Sequence, residues 1–209
     1  MASPATVQKQ YDGFAGFYDL LWSGYVRRTL PLLMDAARIT PGERVLDLGS
    51  GTGALEERLA ETAPGAEVVG VDVAPAMVKR ARRKLQGVPA VSFERADAHA
   101  LPFAAERFDA VVTASTFHYF DRPAAALAEA ARVVRPGGRL IVLDWCRDFW
   151  TCRVMDAVLQ RLDPAHDACY TLAEMRALLG ASPLAFQRAR RHRAGGLWGL
   201  MTVEAFRPA

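Results

Sequence analysis

The sequence predicts an α/β protein with a Rossmann-like, doubly wound sheet of seven strands, mostly parallel, that ends in an antiparallel C-terminal hairpin. Three observations predict this fold class. Short apolar runs alternate with helix-periodic segments from about residue 24 to residue 145, a pattern typical of βα units around a parallel sheet. A glycine-rich turn follows the first apolar run, within residues 45–53. Two strand-like segments joined by Ala194-Gly195-Gly196 close the chain, which indicates a hairpin.

Apolar runs are predicted to form the parallel strands, at Arg44–Leu48, Glu67–Val71, Val91–Arg95, Phe108–Thr113 and Leu140–Leu143. Helices are expected at residues 25–38, after Gly53, after Pro75 and over Pro123–Val134. Pro75 fits the first helical turn, because an N–H there would lack an intrahelical partner in any case. The run Arg135-Pro136-Gly137-Gly138 is predicted to turn the chain into the fifth strand.

The last third of the chain carries two more predicted helices and the hairpin. Helical spacing covers Thr151–Leu162 and Thr171–Leu179, and Thr171 with Glu174 forms a capping-box pattern. The hairpin strands are expected at Phe186–Arg193 and Leu197–Phe206.

Length and composition suit one globular domain over residues 1–209. Hydrophobic residues make up 51% of the chain and charged residues 23%, which is ordinary for a soluble protein. The net charge of +3 is spread along the chain, and no recognition motif accompanies it, so a nucleic-acid binder is disfavoured. The densest basic cluster, which includes Arg188, Arg190, Arg191 and Arg193, suits a solvated strand edge or a patch for an acidic partner.

The cysteines and the hydropathy indicate a cytoplasmic protein without a membrane span. Cys146, Cys152 and Cys169 form no CxxC pair and have no histidine at zinc-finger spacing, so no metal site is predicted. No apolar run reaches the ~18 residues that a bilayer span requires, and the N-terminus lacks the pattern of a signal peptide. No feature of the sequence predicts an oligomeric state.

The glycine-rich turn predicts a nucleotide-like cofactor. It carries Gly49, Gly51 and Gly53 directly after an apolar strand, and Asp72 ends the next strand along the chain. Glycines let the backbone approach a ligand closely, and a carboxylate at the end of the second strand can bind a ribose diol. Asp47, two residues before the first glycine, lies at the same strand end.

Two cofactors compete for this turn. The dinucleotide fingerprint places its third glycine where this chain has Ala54, a substitution that it tolerates, so NAD stays possible from the glycines alone. Asp47 would repel a pyrophosphate and would favour a cationic ligand. S-adenosylmethionine carries an ammonium and a sulfonium group and no phosphate, so the electrostatics favour it. No Gly-Lys-Ser/Thr follows the glycines, which excludes a P-loop.

The chain resembles the class I S-adenosylmethionine-dependent methyltransferases, in particular the small-molecule, ubiquinone- and menaquinone-type branch known as methyltransferase type 11. The resemblance covers residues from about 7 to 145. It is carried in order by Val45-Leu46-Asp47-Leu48-Gly49-Ser50-Gly51-Thr52-Gly53, Gly70-Val71-Asp72-Val73-Ala74-Pro75-Ala76-Met77, Ala96-Asp97-Ala98-His99-Ala100-Leu101-Pro102-Phe103, Phe108-Asp109-Ala110-Val111-Val112 and Leu127-Ala128-Glu129-Ala130-Ala131-Arg132-Val133-Val134-Arg135-Pro136-Gly137-Gly138-Arg139-Leu140.

The resemblance implies a role for each cofactor-binding residue. Gly49 and Gly51 would lie under the methionine and ribose of S-adenosylmethionine, with Asp47 near its ammonium group, and Asp72 would accept hydrogen bonds from the ribose hydroxyls. The remaining contacts would come from Val73 and Met77 on the adenine ring, Asp97 on its amino group, the Ala98 N–H on a ring nitrogen and Ser115 beside the sulfonium.

Residues 1–22 are predicted to form an aromatic lid over the cofactor. The stretch Tyr11-Asp12-Gly13-Phe14-Ala15-Gly16-Phe17-Tyr18-Asp19 resembles a Tyr-Asp-x-x-Ala-x-x-Tyr-Asp pattern of this branch. The resemblance therefore implies that Tyr11 and Tyr18 close over the cofactor and shield it from solvent. An amphipathic helix that merely caps the core would show the same pattern.

His118 is the candidate catalytic residue, as a general base or as a group that orients the acceptor. It follows the fourth strand, at the sheet edge where open α/β folds bind their ligands. A packed histidine that only braces the backbone is the competing interpretation. Residues 146–182 are predicted to form acceptor-side helices, where an acceptor wall could include Asp144, Trp145, Cys146, Asp148, Trp150, His166 and Tyr170.

The predicted function is methyl transfer from S-adenosylmethionine to a small, partly apolar acceptor at an oxygen, nitrogen or carbon atom. The alternative is a catalytically silent methyltransferase-fold protein that binds the cofactor and regulates a partner. An NAD-dependent oxidoreductase is disfavoured by Asp47, and a nucleic-acid methyltransferase by the absence of an Asn-Pro-Pro-Tyr-like motif after the fourth strand.

Overall fold

A computed structural model describes residues 5–8, 18–195 and 198–209 of the chain. Its centre is one seven-stranded sheet in the order β3-β2-β1-β4-β5-β7-β6. The strands are β1 (Arg44–Leu48), β2 (Glu67–Asp72), β3 (Val91–Arg95), β4 (Phe108–Ala114), β5 (Val134–Trp145), β6 (Ala185–Ala194) and β7 (Trp198–Phe206). The first five pair in parallel, and β7 runs antiparallel between β5 and β6. The predicted fold class is confirmed.

Helices cover both faces of the sheet. They are α1 (Tyr18–Ala37), α2 (Ala54–Thr62), α3 (Pro75–Lys84), α4 (Pro123–Val133), α5 (Trp150–Leu162) and α6 (Leu172–Gly180), with a short 3-10 helix at Phe117–Tyr119. One apolar cluster joins α4 and α6 to the sheet, and a second joins α1, α2 and α5 to the opposite face. Among the described residues, no helix has both the length and the apolar composition that a bilayer crossing requires.

The strand order creates the edge where a ligand can bind. The chain moves outward from β1 through β2 to β3 and then returns to place β4 on the other side of β1. The loops after β1 and β4 therefore leave the sheet in opposite directions and open a crevice at the carboxyl ends of these strands. All the predicted cofactor residues between 47 and 115 lie at or next to this edge.

The structure changes two predicted boundaries. Helix α1 begins at Tyr18, earlier than the predicted residue 25. Strand β5 includes the Pro-Gly-Gly run that was predicted as a turn, because Phe108 pairs with Val134 and Ala110 pairs with Arg139. Residues 135–138 thus bulge out of the strand between two paired positions, and Gly137 takes a φ of +73° there.

Thr171 caps α6 as its sequence pattern predicts. Its hydroxyl accepts from the Glu174 N–H, and the Glu174 carboxylate accepts from the Thr171 N–H at 2.8 Å. We expect Thr171→Ala to lower the free energy of unfolding by about 1 kcal/mol, because an N-terminal N–H loses its partner. Urea denaturation measures this loss. Thr62→Ala, at an exposed position in the last turn of α2, is the control and should show no comparable loss. Equal losses would contradict the capping role.

Candidate functional site

Two cavities meet at the glycine turn that follows β1. The β2 cavity, of about 80 Å³, lies at the ends of β2 and β4 and includes Asp72, Asp97 and Ser115 in its lining. The α1 cavity, of about 580 Å³, lies between α1 and the start of α2. Both cavities share Gly49, Gly51 and Thr116, so a ligand that crosses the glycine turn can reach both.

The glycines are needed at this turn for two different reasons. Gly49 has a φ of +79°, and a Cβ there would lie 2.2 Å from Thr116 Cγ2, so the two loops can approach only without a side chain. Gly51 has a φ of +53°, and nothing lies within 4 Å of the position a Cβ would take. Its backbone therefore borders open space, which suits the close approach of a ligand.

Asp72 holds the glycine turn against the end of β2. Its Oδ2 accepts from the Gly51 N–H and its Oδ1 accepts from the Ala74 N–H, each at 2.9 Å. A carboxylate oxygen has two lone pairs, so these backbone bonds do not by themselves prevent the carboxylate from accepting a hydrogen bond from a ligand hydroxyl. The structural role of Asp72 at this turn and the ribose contact that the resemblance implies are thus compatible.

The far end of the β2 cavity offers both a hydrogen-bond acceptor and a donor. Asp97 Oδ1 accepts from the backbone N–H of His99 at 2.9 Å and lies 2.6 Å from His99 Nδ1. Asp97 Oδ2 and the Ala98 N–H have no partner among the described residues. Val73 and Met77 also line this cavity. This arrangement can bind a flat polar ring that has a hydrogen-bond donor for Asp97 and an adjacent hydrogen-bond acceptor for the Ala98 N–H.

Asp47 forms a buried pair with a residue that the sequence analysis missed. Asp47 is 2% exposed and Glu56, on α2, is fully buried. Asp47 Oδ1 and both Glu56 carboxyl oxygens receive no donor from another described residue, so the carboxyls can bond only by sharing a proton. Burial raises the pKa of Asp47 to about 7, and burial and the Asp47 charge raise the pKa of Glu56.

This pair determines what Asp47 can offer to a ligand. Asp47 lines the α1 cavity, where a carboxyl at the strand end suits a cationic group. A positive charge there would stabilise the ionised pair and release the shared proton. The other charges that act on the pair are Asp72, which raises the pKa of Asp47, and Lys84, which lowers that of Glu56.

A chain of hydrogen bonds links α1 to the ends of β4 and β5. The Trp145 Nε1–H donates to the Tyr25 hydroxyl at 2.9 Å, and this hydroxyl lies 2.6 Å from Ser115 Oγ. Ser115 has a φ of +53°, a conformation that costs a residue other than glycine of the order of 1–3 kcal/mol. The contact with Tyr25 and the bond from the Ser115 N–H to the Leu143 carbonyl hold Ser115 in this conformation.

His118 is buried behind the wall of the β2 cavity. Its Nδ1 lies 2.6 Å from Asp144 Oδ1, and its backbone N–H donates to Asp144 Oδ2. The imidazole stacks on Trp145 with ring centres 4.7 Å apart, and its Nε2 is buried without a partner among the described residues. His118 lines neither cavity, whereas its neighbour Tyr119 lines the β2 cavity. The predicted catalytic role of His118 stays a prediction.

The suggested acceptor wall lies away from the two cavities. Trp145, Cys146 and His166 are buried, and none of them lines either cavity. Tyr170 instead lines a separate groove beside α6. Burial raises the pKa of Cys146 and of Tyr170, each to about 12, so neither side chain ionises readily.

Asp156 connects the buried groups beneath α5. Its Oδ1 accepts from the Cys169 N–H and lies 2.7 Å from His166 Nε2, and its Oδ2 accepts from Gln160. One potential metal-ligating atom from each of Asp156, His166 and Cys169 lies within 4.8 Å of the other two. Because the Asp156 carboxylate already has these hydrogen-bond partners, we interpret the three residues as a structural hydrogen-bond network that joins α5 to the loop before α6.

Tyr25 is a site residue that the sequence did not predict, because it reads as one more residue of an amphipathic helix. Thr116 belongs to the segment after the fourth strand that was expected near the ligand, but no motif assigns it a role. Glu56 did leave a signal, since it falls between Leu55 and Leu59 on the apolar face of α2. Of the predicted lid, Tyr11 and the side chain of Tyr18 lie outside the described residues. Val7, within residues 5–8, lines the β2 cavity.

Replacement of Glu56 by glutamine tests the shared proton. Because the pKa of both carboxyls is raised in the folded protein, the contribution of this pair to stability is fully present at low pH and is lost as the pH rises through about 7. We expect the free energy of unfolding of the wild type to fall by a few kcal/mol between mildly acidic and mildly alkaline pH. That of Glu56→Gln should fall by less, as measured by urea denaturation.

Glu61→Gln is the matched control, because Glu61 is an acid on the same helix but is exposed and paired with Arg58 at 3.0 Å. It should keep the pH dependence of the wild type. Equal pH dependence in Glu56→Gln and Glu61→Gln would show that the buried pair holds no extra proton.

Comparison with known proteins identifies the family. A family model described as a methyltransferase domain matches residues 46–142. A demethylmenaquinone methyltransferase of Thermus thermophilus is 48% identical over 129 residues, which are 61% of this chain and 55% of that protein. A protein of the same name from Paenarthrobacter aurescens is 32% identical over 185 residues, which are 82% of this chain and 71% of that protein. The chain spans just over half the length of the Thermus relative.

Solved structures show the same fold. A chain from the complex between the Haloferax volcanii Trm112 methyltransferase activator and a putative methyltransferase matches with a TM-score of 0.84 at 22% identity, over 95% of this chain and 98% of that one. Geranyl diphosphate methyltransferase in complex with S-adenosylmethionine matches with a TM-score of 0.71 at 16% identity, over 85% of this chain and 84% of that one. The chain belongs to the class I S-adenosylmethionine-dependent methyltransferase family.

Proposed function

We propose that this protein transfers the methyl group of S-adenosylmethionine to a small, partly apolar acceptor at an oxygen, nitrogen or carbon atom. One observation carries the proposal. The β2 cavity, with carboxylates suited to a nucleoside, and the larger α1 cavity meet at Gly49, Gly51 and Thr116. A cofactor that lies across this junction would have its reactive end next to space for a second molecule.

The residues at the junction fit S-adenosylmethionine. Asp72 would accept from the ribose hydroxyls, because its carboxylate lines the cavity while it holds the Gly51 N–H. Asp97 Oδ2 and the Ala98 N–H would bind the edge of the adenine ring, with Val73 and Met77 packed against its faces.

The reactive end of the cofactor would lie near the glycine turn. The carboxyl of Asp47, which lines the α1 cavity, suits the ammonium group, with Gly49 beneath the amino-acid part. Ser115, which lines the β2 cavity, would border the sulfonium. When bound, S-adenosylmethionine supplies a methyl group that is already activated on a positively charged sulfur.

The chain's own contribution to catalysis would be alignment and exclusion of water. The Trp145–Tyr25–Ser115 hydrogen bonds fix the wall at the end of β4, which would keep an acceptor in line with the methyl group. The predicted lid, with Tyr11 and Tyr18, would shield the reacting atoms from solvent.

The α1 cavity is our proposed acceptor site. Its wall along α1 is mainly apolar, and its rim carries charged side chains, which suits a ligand that is partly apolar. Relatives named demethylmenaquinone methyltransferase support a small-molecule acceptor rather than a nucleic acid. The lining from α1 comprises Trp22, Ser23, Val26, Arg27, Leu30, Pro31 and Met34.

Family membership supports an active enzyme over the catalytically silent alternative. Incubation with methyl-labelled S-adenosylmethionine and three acceptors, a reduced naphthoquinone with a free ring position, a catechol and an aromatic amine, tests turnover at carbon, oxygen and nitrogen. We expect label in one of them. Tight cofactor binding without transfer to any of these or to cell-extract fractions would favour the silent alternative. We keep the cytoplasmic location as a prediction.

Asp72→Ala tests the cofactor site. We expect it to weaken binding of S-adenosylmethionine by ~1–3 kcal/mol, because ribose hydroxyls and the Gly51 N–H would lose their acceptor. Titration calorimetry with S-adenosylmethionine and S-adenosylhomocysteine measures the change. Asp35→Asn, at an exposed position on α1, is the control and should bind as the wild type does. Unchanged affinity in Asp72→Ala would remove Asp72 from the site.

His118→Asn tests the predicted catalytic role of His118. The asparagine amide can still donate to Asp144, so the buried carboxylate keeps a partner while the basic Nε2 is removed. If His118 serves as the base, turnover should fall about 100-fold or more with cofactor affinity retained, and the pH profile of kcat should lose its dependence on this group. A variant with wild-type kcat and pH profile would show that His118 only braces the loop.

A further inference from the structure

Helix α5 exposes a ridge of large apolar side chains. Trp150 is 70% exposed, Val154 57%, Val158 43% and Leu162 76%. These residues recur every four positions, so they form one continuous row along the helix. The opposite side of α5 packs into the core through buried Cys152 and through partly buried side chains. A contiguous exposed row of this kind marks an interaction surface, because isolated surface apolar residues are ordinary but contiguous patches are rare.

The exposed charges within α5 have one sign, although Asp163, directly after Leu162, is a part-exposed acid. Arg153 and Arg161 form the adjacent row of α5, three residues on from Trp150 and Val158, and both are exposed. The only acid within α5 is Asp156, which is 3% exposed and bonded to Gln160, His166 and the Cys169 N–H. The accessible charges of the helix are therefore entirely positive.

The basic cluster of β6 adds to this surface at the start of the helix. The Arg193 guanidinium lies over the ring of Phe149, the residue before α5, with 5.4 Å between Cζ and the ring centre. Arg191, 58% exposed, lies 3.9 Å from Asp148 and largely offsets that carboxylate. The arginine cluster that stands out in the sequence is thus continuous with the Trp150 end of the ridge.

Two partners could cover this ridge, a second copy of the chain or a membrane surface, and the bordering arginines favour the membrane. A second copy of the chain would bring the arginines of α5 toward the same arginines under two-fold symmetry, which is electrostatically unfavourable. An anionic membrane surface offers hydrocarbon for the apolar row and phosphate groups for the arginines. Trp150 suits this boundary, because tryptophan is favoured where hydrocarbon meets the headgroups.

We propose that the α5 ridge, with Arg153, Arg161 and Arg193 beside it, docks the protein on the surface of membranes that contain anionic phospholipids. The docking is peripheral, with the helix lying in the interface. The proposal does not depend on the methyl acceptor or on turnover, because none of these residues lines the two cavities of the candidate site.

Co-sedimentation of the full chain with vesicles tests the proposal. Vesicles of phosphatidylcholine alone are compared with vesicles of phosphatidylcholine and phosphatidylglycerol, at low and high salt. We expect binding only to the anionic vesicles, with loss at high salt, because salt screens the arginine–phosphate attraction. Tryptophan emission should shift to the blue on binding, and this shift should shrink in Trp150→Phe.

Two double variants distinguish an effect of the ridge on vesicle binding from an effect of net charge alone. Arg153→Gln with Arg161→Gln should weaken binding about thirty-fold, at about fivefold per charge. Lys79→Gln with Arg83→Gln removes the same charge from exposed positions on α3, away from the ridge, and should bind nearly as the wild type does. Val154→Asp with Val158→Asp should abolish binding, and thermal melts check that each variant is folded.

Other outcomes would overturn the proposal. Absence of binding to anionic vesicles would show that the ridge does not bind the membrane surface. The same conclusion would follow if Arg153→Gln with Arg161→Gln and Lys79→Gln with Arg83→Gln weakened vesicle binding equally. Light scattering that finds a dimer in the wild type and a monomer in Val154→Asp with Val158→Asp would assign the ridge to self-association instead.

Discussion

The hydrogen bonds that Asp72 accepts are the constraint on which the candidate site depends. One carboxylate joins the Gly51 N–H of the turn after β1 to the Ala74 N–H at the start of α3. These two bonds hold the glycine turn in its left-handed conformation and keep the ends of two parallel strands in a fixed relation. The Gly51 backbone can then face open space, and the same carboxylate lines the cavity wall. A structural bond and a ligand-binding group are thus combined in one side chain.

The second constraint is electrostatic and lies below the same turn. Asp47 and Glu56 are two buried carboxyls, and no cation among the described residues bonds to them, so they cannot both ionise at little cost. Without a ligand the pair favours holding a proton, and with a positive group beside it the pair favours releasing one. The pair would therefore favour a cationic cofactor over a phosphorylated one, since a pyrophosphate would face two buried carboxyls that the Lys84 charge offsets only in part.

A third feature connects the site to the rest of the sheet through aromatic and polar contacts. Trp145 donates to Tyr25 and stacks on His118, while Asp144 binds both the ring and the backbone of His118. Residues from α1, the end of β4 and the end of β5 are therefore held in one rigid network. This rigidity suits a reaction in which the protein mainly aligns two molecules. It also explains why Ser115 can keep a strained φ at the cavity wall.

The sequence by itself determined the fold class, nearly all of the strands and the cofactor motif. These depend on local patterns, namely apolar runs, turn glycines and acidic residues at strand ends, whose physical meaning does not need distant partners. Only the tertiary structure decided that Glu56 faces Asp47, that Tyr25 reaches Ser115, and that His118 lies behind the cavity wall. It also placed the Trp150 ridge in solvent, where the sequence had suggested an acceptor wall. Such contacts join residues far apart in the chain, and the direction of each side chain follows from packing that no local pattern encodes.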